Sequence, residues 1–94
     1  MLTMNTKRAN NYMDLCNLEM DLLDLCISKG VQYDKLYIGT IYTYDFLTVM
    51  VGNETVEIHA DNVTNGLYII DENRKGQSEH RIYKRICERL KIEK

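Results

Sequence analysis

The feature that most constrains the fold is a run rich in β-branched and aromatic residues from about residue 35 to residue 70. Residues of these types favour strands, and turn signals divide the run into segments. The division predicts strands at residues 36–44, 46–51, 55–60 and 67–70. Because consecutive strands joined by short turns usually pair with each other, we expect an antiparallel sheet.

Two segments with helical periodicity flank the predicted sheet. The first covers residues 11–29, with Asn11 as its candidate N-cap and Gly30 as its C-terminal stop. Ser78 is the candidate N-cap of the second, which runs to about residue 92. The order α-β-β-β-β-α predicts an α+β fold with both helices on one face of the sheet. If the first two strands are one long bent strand, the order becomes α-β-β-β-α.

Length and composition indicate one globular domain. The chain has 94 residues, of which 45% are hydrophobic and 28% are charged. We expect a single domain over residues 1–94, with residues 1–9 as a candidate flexible segment. No apolar run is long enough to span a membrane, and the first ten residues lack the apolar core of a secretory signal. Three cysteines without paired spacing are typical of reduced thiols, so we expect a cytoplasmic protein that does not contact membranes.

Charge is divided unequally along the chain. Residues 1–72 contain four basic and eleven acidic side chains, whereas residues 73–94 contain eight basic and three acidic ones. A protein polarised in this way offers one surface to cationic partners and another to anionic partners. We therefore predict that basic side chains near the C-terminus contact a partner. They are Arg74, Lys75, Arg81, Lys84, Arg85 and Arg89.

Three of these side chains form a row on the predicted closing helix. Arg81, Arg85 and Arg89 recur every fourth residue, and such a row can neutralise several phosphates. Nucleic-acid binding is therefore the alternative to a protein partner. With three strands, the order of elements resembles that of the double-stranded-RNA-binding domain, which implies phosphate contacts at the start of this helix. A further interpretation is a solvated face, or pairing with carboxylates of the first helix.

The first helix has an unusually wide apolar surface, about 220° of its circumference, whereas a helix packed on a sheet needs little more than about 100°. Its members are Leu15, Cys16, Leu18, Met20, Leu22, Leu23, Leu25, Cys26 and Ile27. One interpretation is that the closing helix covers the remaining flank. The other is that part of this surface is an interface, which predicts a homodimer or a tight heterocomplex. The predicted interface residues are Leu15, Leu18, Leu22 and Leu25.

No pattern of catalytic, metal-binding or cofactor-binding residues stands out. Neither His59 nor His80 has a metal-ligand spacing with a cysteine, so we expect no metal, no cofactor and no enzymatic activity. Tyr42 and Tyr44 fall on one face of the first predicted strand and Tyr37 on the other. Some tyrosines must therefore lie on the sheet face away from the helices, where rigid rings favour contact with a partner.

Together these features favour a small, non-enzymatic protein-binding module. Tyr42 and Tyr44, together with the six basic side chains, are its predicted partner contacts. Small, acidic, single-domain proteins of this kind are common among phage and mobile-element products, and the similarity predicts an inhibitor that occupies a surface of a host protein. A structural subunit of a larger assembly is a further alternative.

Overall fold

The structure is a computed structural model, and it describes residues 6–42 and 44–92. These residues form two helices and a four-stranded sheet. The elements are α1 (Thr6–Lys29), β1 (Lys35–Ile41), β2 (Tyr44–Val51), β3 (Glu54–Asp61), β4 (Gly66–Ile69) and α2 (Glu79–Leu90). The strands lie in the order β1-β2-β3-β4, and all neighbours are antiparallel. The predicted α+β fold is confirmed, with four strands rather than three.

The first helix begins earlier than predicted. Residues 6–10 are helical, so Asn11 is not the N-cap of α1. Its side chain is fully buried, and Asn11 Nδ2 donates a hydrogen bond of 2.6 Å to Asn62 Oδ1 in the β3–β4 loop. Of the candidate flexible segment, residues 6–9 therefore belong to α1, and residues 1–5 lie outside the described residues. The predicted end is confirmed, because Gly30 follows Lys29 with a left-handed φ of 67°.

The second helix has the predicted N-cap. Ser78 Oγ accepts a hydrogen bond of 3.3 Å from the backbone N–H of Arg81, which satisfies one of the free donors in the first turn. The helix ends at Leu90, slightly before the predicted end. Lys91 there adopts a left-handed conformation, and its N–H donates to the carbonyls of Cys87 and Glu88.

The first hairpin turns earlier than the sequence suggested. Ile41 pairs with Tyr44 across the turn, so Tyr44 is the first residue of β2 and not part of β1. Because side chains alternate along each strand, this shift changes which residues share a face. Tyr37 and Tyr44 lie on the same face of the sheet, on either side of Phe46, which corrects the predicted separation of these two tyrosines.

One hydrophobic core lies between the helices and one face of the sheet. Leu18 of α1 and Ile86 of α2 are completely buried in it. Along each strand, alternate side chains point into this core. These are Leu47, Val49, Val56, Ile58, Leu67 and Ile69. Both helices pack on this face, and the opposite face of the sheet is covered by neither of them.

The two helices differ from membrane-spanning helices. Across residues 6–42 and 44–92, neither helix combines the length and the apolar character that crossing a bilayer requires. The longer one, α1, has 24 residues but carries charged side chains along its length, among them Asp14, Asp21 and Asp24.

Candidate protein-binding surfaces

Three large apolar side chains of α1 face solvent on the side away from the core. Met13, Met20 and Ile27 are 59%, 62% and 68% exposed. They are spaced seven residues apart, and at 100° per residue they fall on one line along the helix, opposite the buried leucines. We call Met13, Met20 and Ile27 the apolar stripe. Cys16 and Leu23, both half-buried, lie along one of its edges.

The four leucines predicted to form an oligomer interface lie in the core instead. Leu15, Leu18, Leu22 and Leu25 are at most 8% exposed and belong to the cluster that joins both helices to the sheet. Apart from Leu25, which lines the groove between α1 and α2, little of their surface is open to a second copy of the folded chain, so an apolar interface on α1 uses the opposite side. Sequence reasoning missed Met13, although its spacing of seven residues from Met20 was the available signal.

A groove of about 480 Å³ lies between α1 and α2. It is lined by Asp21, Asp24, Leu25, Ser28, Glu79, His80 and Tyr83. Asp24 follows Met20 by four residues and precedes Ile27 by three, so the groove meets the apolar stripe at Asp24. We call the part lined by Asp21, Asp24 and Glu79 the acidic groove.

The carboxylates of the acidic groove are not neutralised within the described residues. None of the described ion pairs involves Asp14, Asp21, Asp24 or Glu79. Burial raises the pKa of Glu79, and the neighbouring Asp21 raises it further through a hydrogen bond and charge repulsion. Among the described atoms, Glu79 Oε1 is buried without a hydrogen-bond partner, which is unfavourable for a polar atom. The groove is therefore suited to receive a cationic donor.

The substitution Glu79→Gln is expected to reduce the pH dependence of stability. Because the pKa of Glu79 is higher in the folded than in the unfolded chain, the folded chain binds more protons between those two values. The contribution of Glu79 to the free energy of unfolding therefore falls as pH rises from the ordinary pKa of glutamate to the raised one. Urea denaturation at a series of pH values measures this slope. An unchanged slope in Glu79→Gln contradicts the expectation, and exposed Glu54→Gln is the control.

The predicted basic contact surface is partly neutralised by its own chain. Arg85 Nε lies 2.9 Å from Glu72 Oε1, and Arg89 Nη1 pairs with both Asp71 and Glu72. The hydrogen bond from Arg89 is the main cause of a lowered pKa for Asp71. Carboxylates of the loop after β4 therefore occupy two of the three arginines in the predicted row. The interpretation that this row pairs with the first helix does not hold for the described ion pairs.

The other four predicted basic contacts are exposed. Arg74 and Lys75 lie in the loop before α2, and Arg81 and Lys84 lie in the first half of that helix. None of the ion pairs described within residues 6–42 and 44–92 includes them. The cationic surface is thus smaller than the sequence predicted, and it is centred on the start of α2.

Five rings form a continuous row across the uncovered face of the sheet. The row consists of Tyr37 on β1, Tyr44 and Phe46 on β2, His59 on β3 and Tyr68 on β4. Centroids of neighbouring rings are 5.2–6.2 Å apart. Phe46 also covers Gly39, where an added Cβ would lie 2.5 Å from the ring. These mutual contacts order the rings, so the aromatic row offers a rigid surface.

The two tyrosines predicted as partner contacts have different environments. Tyr44 belongs to the aromatic row and contacts both Phe46 and His59. Tyr42 lies in the turn between β1 and β2, where it is 93% exposed and has a φ of 56°. Few bulky residues adopt this left-handed conformation. Tyr42 is therefore displayed at the end of the sheet, separate from the aromatic row.

Metal-binding side chains form no cluster among the described residues. In the part of the chain that the structure describes, no three His, Cys, Asp or Glu side chains are placed to hold a metal ion. Burial raises the pKa of the Cys26 thiol, which reduces the fraction present as reactive thiolate. Comparison with protein-family models, curated proteins and solved structures gives no match to this chain.

Proposed function

We propose that this protein is a small, non-enzymatic binding module that occupies a surface of another protein. The observation that carries the proposal is the apolar stripe, because three large apolar side chains stand in solvent on the side of α1 that the core does not use. Contiguous apolar surface of this kind marks interaction sites on soluble proteins. Methionine, which supplies two of the three side chains, adapts its shape readily to a partner.

The proposed mode of action is steric occupation of a host protein, as in inhibitors encoded by phages and mobile elements. A short chain with a rigid sheet and a helix that presents apolar side chains suits this role better than a catalytic one. We place its action in the cytoplasm, and the lack of a disulfide among Cys16, Cys26 and Cys87 agrees with a reducing compartment.

Binding of nucleic acid by α2 is the second candidate function. The exposed side chains of Arg74, Lys75, Arg81 and Lys84 favour it, since clustered cations attract phosphates. The engagement of two neighbouring arginines by Asp71 and Glu72 counts against it, because those carboxylates would have to be displaced or would repel the phosphates. We therefore prefer the protein partner.

Replacing Met20 and Ile27 together by glutamine is expected to abolish capture of a stoichiometric protein partner from host lysate. Glutamine keeps the length and helix propensity of methionine but removes the apolar contact. The matched control is Val63→Gln, because Val63 is an apolar side chain outside α1 that is even more exposed, at 80%. Affinity capture with each variant, followed by mass spectrometry, is the measurement.

The capture experiment distinguishes the proposed function from its alternative. Loss of the partner with Met20→Gln/Ile27→Gln and retention with Val63→Gln support the proposal. Equal capture by both variants contradicts it. Recovery of nucleic acid alone, released at high salt, would favour the second candidate function instead.

A further inference from the structure

We propose that the occupant of the apolar stripe is a basic amphipathic helix of the partner, whose lysine or arginine side chains enter the acidic groove. This inference rests on the proposed function and adds the chemistry of the partner. Two separate features carry it: the shape of the apolar stripe and the uncompensated charge beside it.

The shape of the apolar stripe indicates a helix. Its three members repeat every seven residues from Met13 to Ile27 and span about 21 Å along the axis of α1. Cys16 and Leu23 continue the pattern at the intervening positions, which gives the alternating spacing of three and four residues found at helix pairs. A straight, narrow line of this length complements the side of another helix, which packs its own apolar residues with the same repeat.

The charge along the apolar stripe indicates that the partner helix is basic. Asp24 borders the stripe on one side, with Asp21 and Asp14 further round α1 towards α2, and Glu19 lies beyond the opposite edge. None of the ion pairs among the described residues includes these carboxylates, and the arginines of α2 that form pairs do so with Asp71, Glu72 and Glu88. A partner with lysine or arginine beside its apolar residues would supply the missing charge.

The acidic groove can accommodate the charged end of a lysine or arginine side chain from the partner. It has a volume of about 480 Å³, and Leu25 and Tyr83 form part of its wall, against which the methylene groups of lysine or arginine can pack. A guanidinium or ammonium there would donate to Glu79 Oε1, which is buried without a partner among the described atoms. It would also offset the repulsion between Glu79 and Asp21.

A second copy of this chain fits the apolar stripe less well. Pairing two α1 helices along their stripes brings Asp24 and Glu19, which flank the stripe, towards the same carboxylates of the other copy, and like charges oppose such contacts. The basic helix α2 cannot replace α1 in this role, because its apolar face, including Ile82 and Ile86, is buried in its own core. The occupant is therefore a different protein.

Binding of synthetic peptides to the whole chain tests the inference. The first peptide is a fluorescent helix of about five turns with leucine at the heptad core positions and arginine beside them. The second has glutamate in place of arginine, and the third has the composition of the first in scrambled order. Fluorescence anisotropy at two salt concentrations measures affinity. We expect the basic helix to bind, more weakly at higher salt, and the other two peptides not to bind.

Variants of the protein locate the contact. Met20→Gln is expected to weaken binding of the basic helix about tenfold, because it truncates the centre of the apolar stripe. The pair Asp21→Asn with Asp24→Asn is expected to weaken it about tenfold and to reduce its salt dependence. Glu54→Gln removes one charge from an exposed site at the start of β3 and should leave affinity unchanged. Circular dichroism confirms that each variant is folded.

The possible outcomes separate this inference from the proposed function. Equal binding of the acidic helix, or unchanged affinity in the Asp21→Asn/Asp24→Asn variant, overturns the basic partner but leaves the apolar stripe as a docking surface. Equal binding of the scrambled peptide, or binding of none, overturns the helical partner, whereas the lysate capture decides the proposed function independently. A dimer that Met20→Gln dissociates, seen by light scattering, assigns the stripe to a second copy and also overturns the inference.

Discussion

Replacing Leu18 by alanine is expected to lower the free energy of unfolding by about 2–5 kcal/mol. Leu18 is 0% exposed and lies in the cluster that joins α1 to the sheet and to α2. Truncation removes its apolar contacts and leaves a cavity that the neighbouring side chains fill only in part. Because small domains are stabilised by only about 5–15 kcal/mol in total, this single change is expected to shift the unfolding transition strongly.

The matched control is Met20→Ala on the same helix. Met20 is 62% exposed, so its replacement removes little buried surface, and we expect the free energy of unfolding to change by less than about 0.5 kcal/mol. Urea denaturation followed by circular dichroism measures both variants. A large loss of stability with Met20→Ala would show that this side chain is buried in solution, and it would contradict the exposed apolar stripe.

Replacing Arg8 by methionine is expected to lower the free energy of unfolding by about 3 kcal/mol. Its partner Asp45 is 2% exposed, and Arg8 Nε lies 3.2 Å from Asp45 Oδ2. Thr40 Oγ1 donates a further hydrogen bond of 2.7 Å to Asp45 Oδ1. Within residues 6–42 and 44–92, removal of the guanidinium leaves the Thr40 hydroxyl as the side-chain donor to a buried negative charge, which is insufficient to replace its hydration.

Two further variants separate this buried pair from an ordinary surface pair. Adding Asp45→Asn to Arg8→Met is expected to recover part of the lost stability, because the amide carries no charge but still accepts from Thr40. Arg85→Met breaks a more exposed pair with Glu72 and should change the free energy of unfolding by less than about 1 kcal/mol. Equal, small effects of Arg8→Met and Arg85→Met would contradict an uncompensated buried charge at Asp45.

Features that depend on local physical chemistry could be predicted from the sequence. Ser78 caps α2 because its hydroxyl accepts a hydrogen bond from the backbone N–H of Arg81, three residues later. This interaction involves no distant part of the chain. Gly30 ends α1 and Gly52 turns β2 into β3, since both adopt positive φ angles at little cost. The α+β class follows from these boundaries together with the alternation of residues in the strands.

Features that depend on distant parts of the chain could not be predicted. Asn11 is of a residue type that favours N-cap positions. It lies inside α1 instead, where its side-chain amide donates a hydrogen bond to Asn62 in the β3–β4 loop. Tyr44 could be assigned to a face only once the turn at Tyr42 was known, since a shift of one residue reverses every side chain of a strand. The spacing of Arg85 and Arg89 likewise does not indicate which carboxylates pair with them. The fold brings Asp71 and Glu72 beside α2.

The sequence by itself determined that α1 has more apolar surface than one sheet can cover, because side-chain angles on a helix follow directly from residue spacing. Only the tertiary structure decided that the core takes Leu18 and its neighbours, while Met20 and Ile27 remain in solvent. The reason is physical: helical periodicity describes both sides of an apolar helix equally well. The choice between them depends on which side chains interlock with the sheet and with α2, and that is a property of packing in three dimensions.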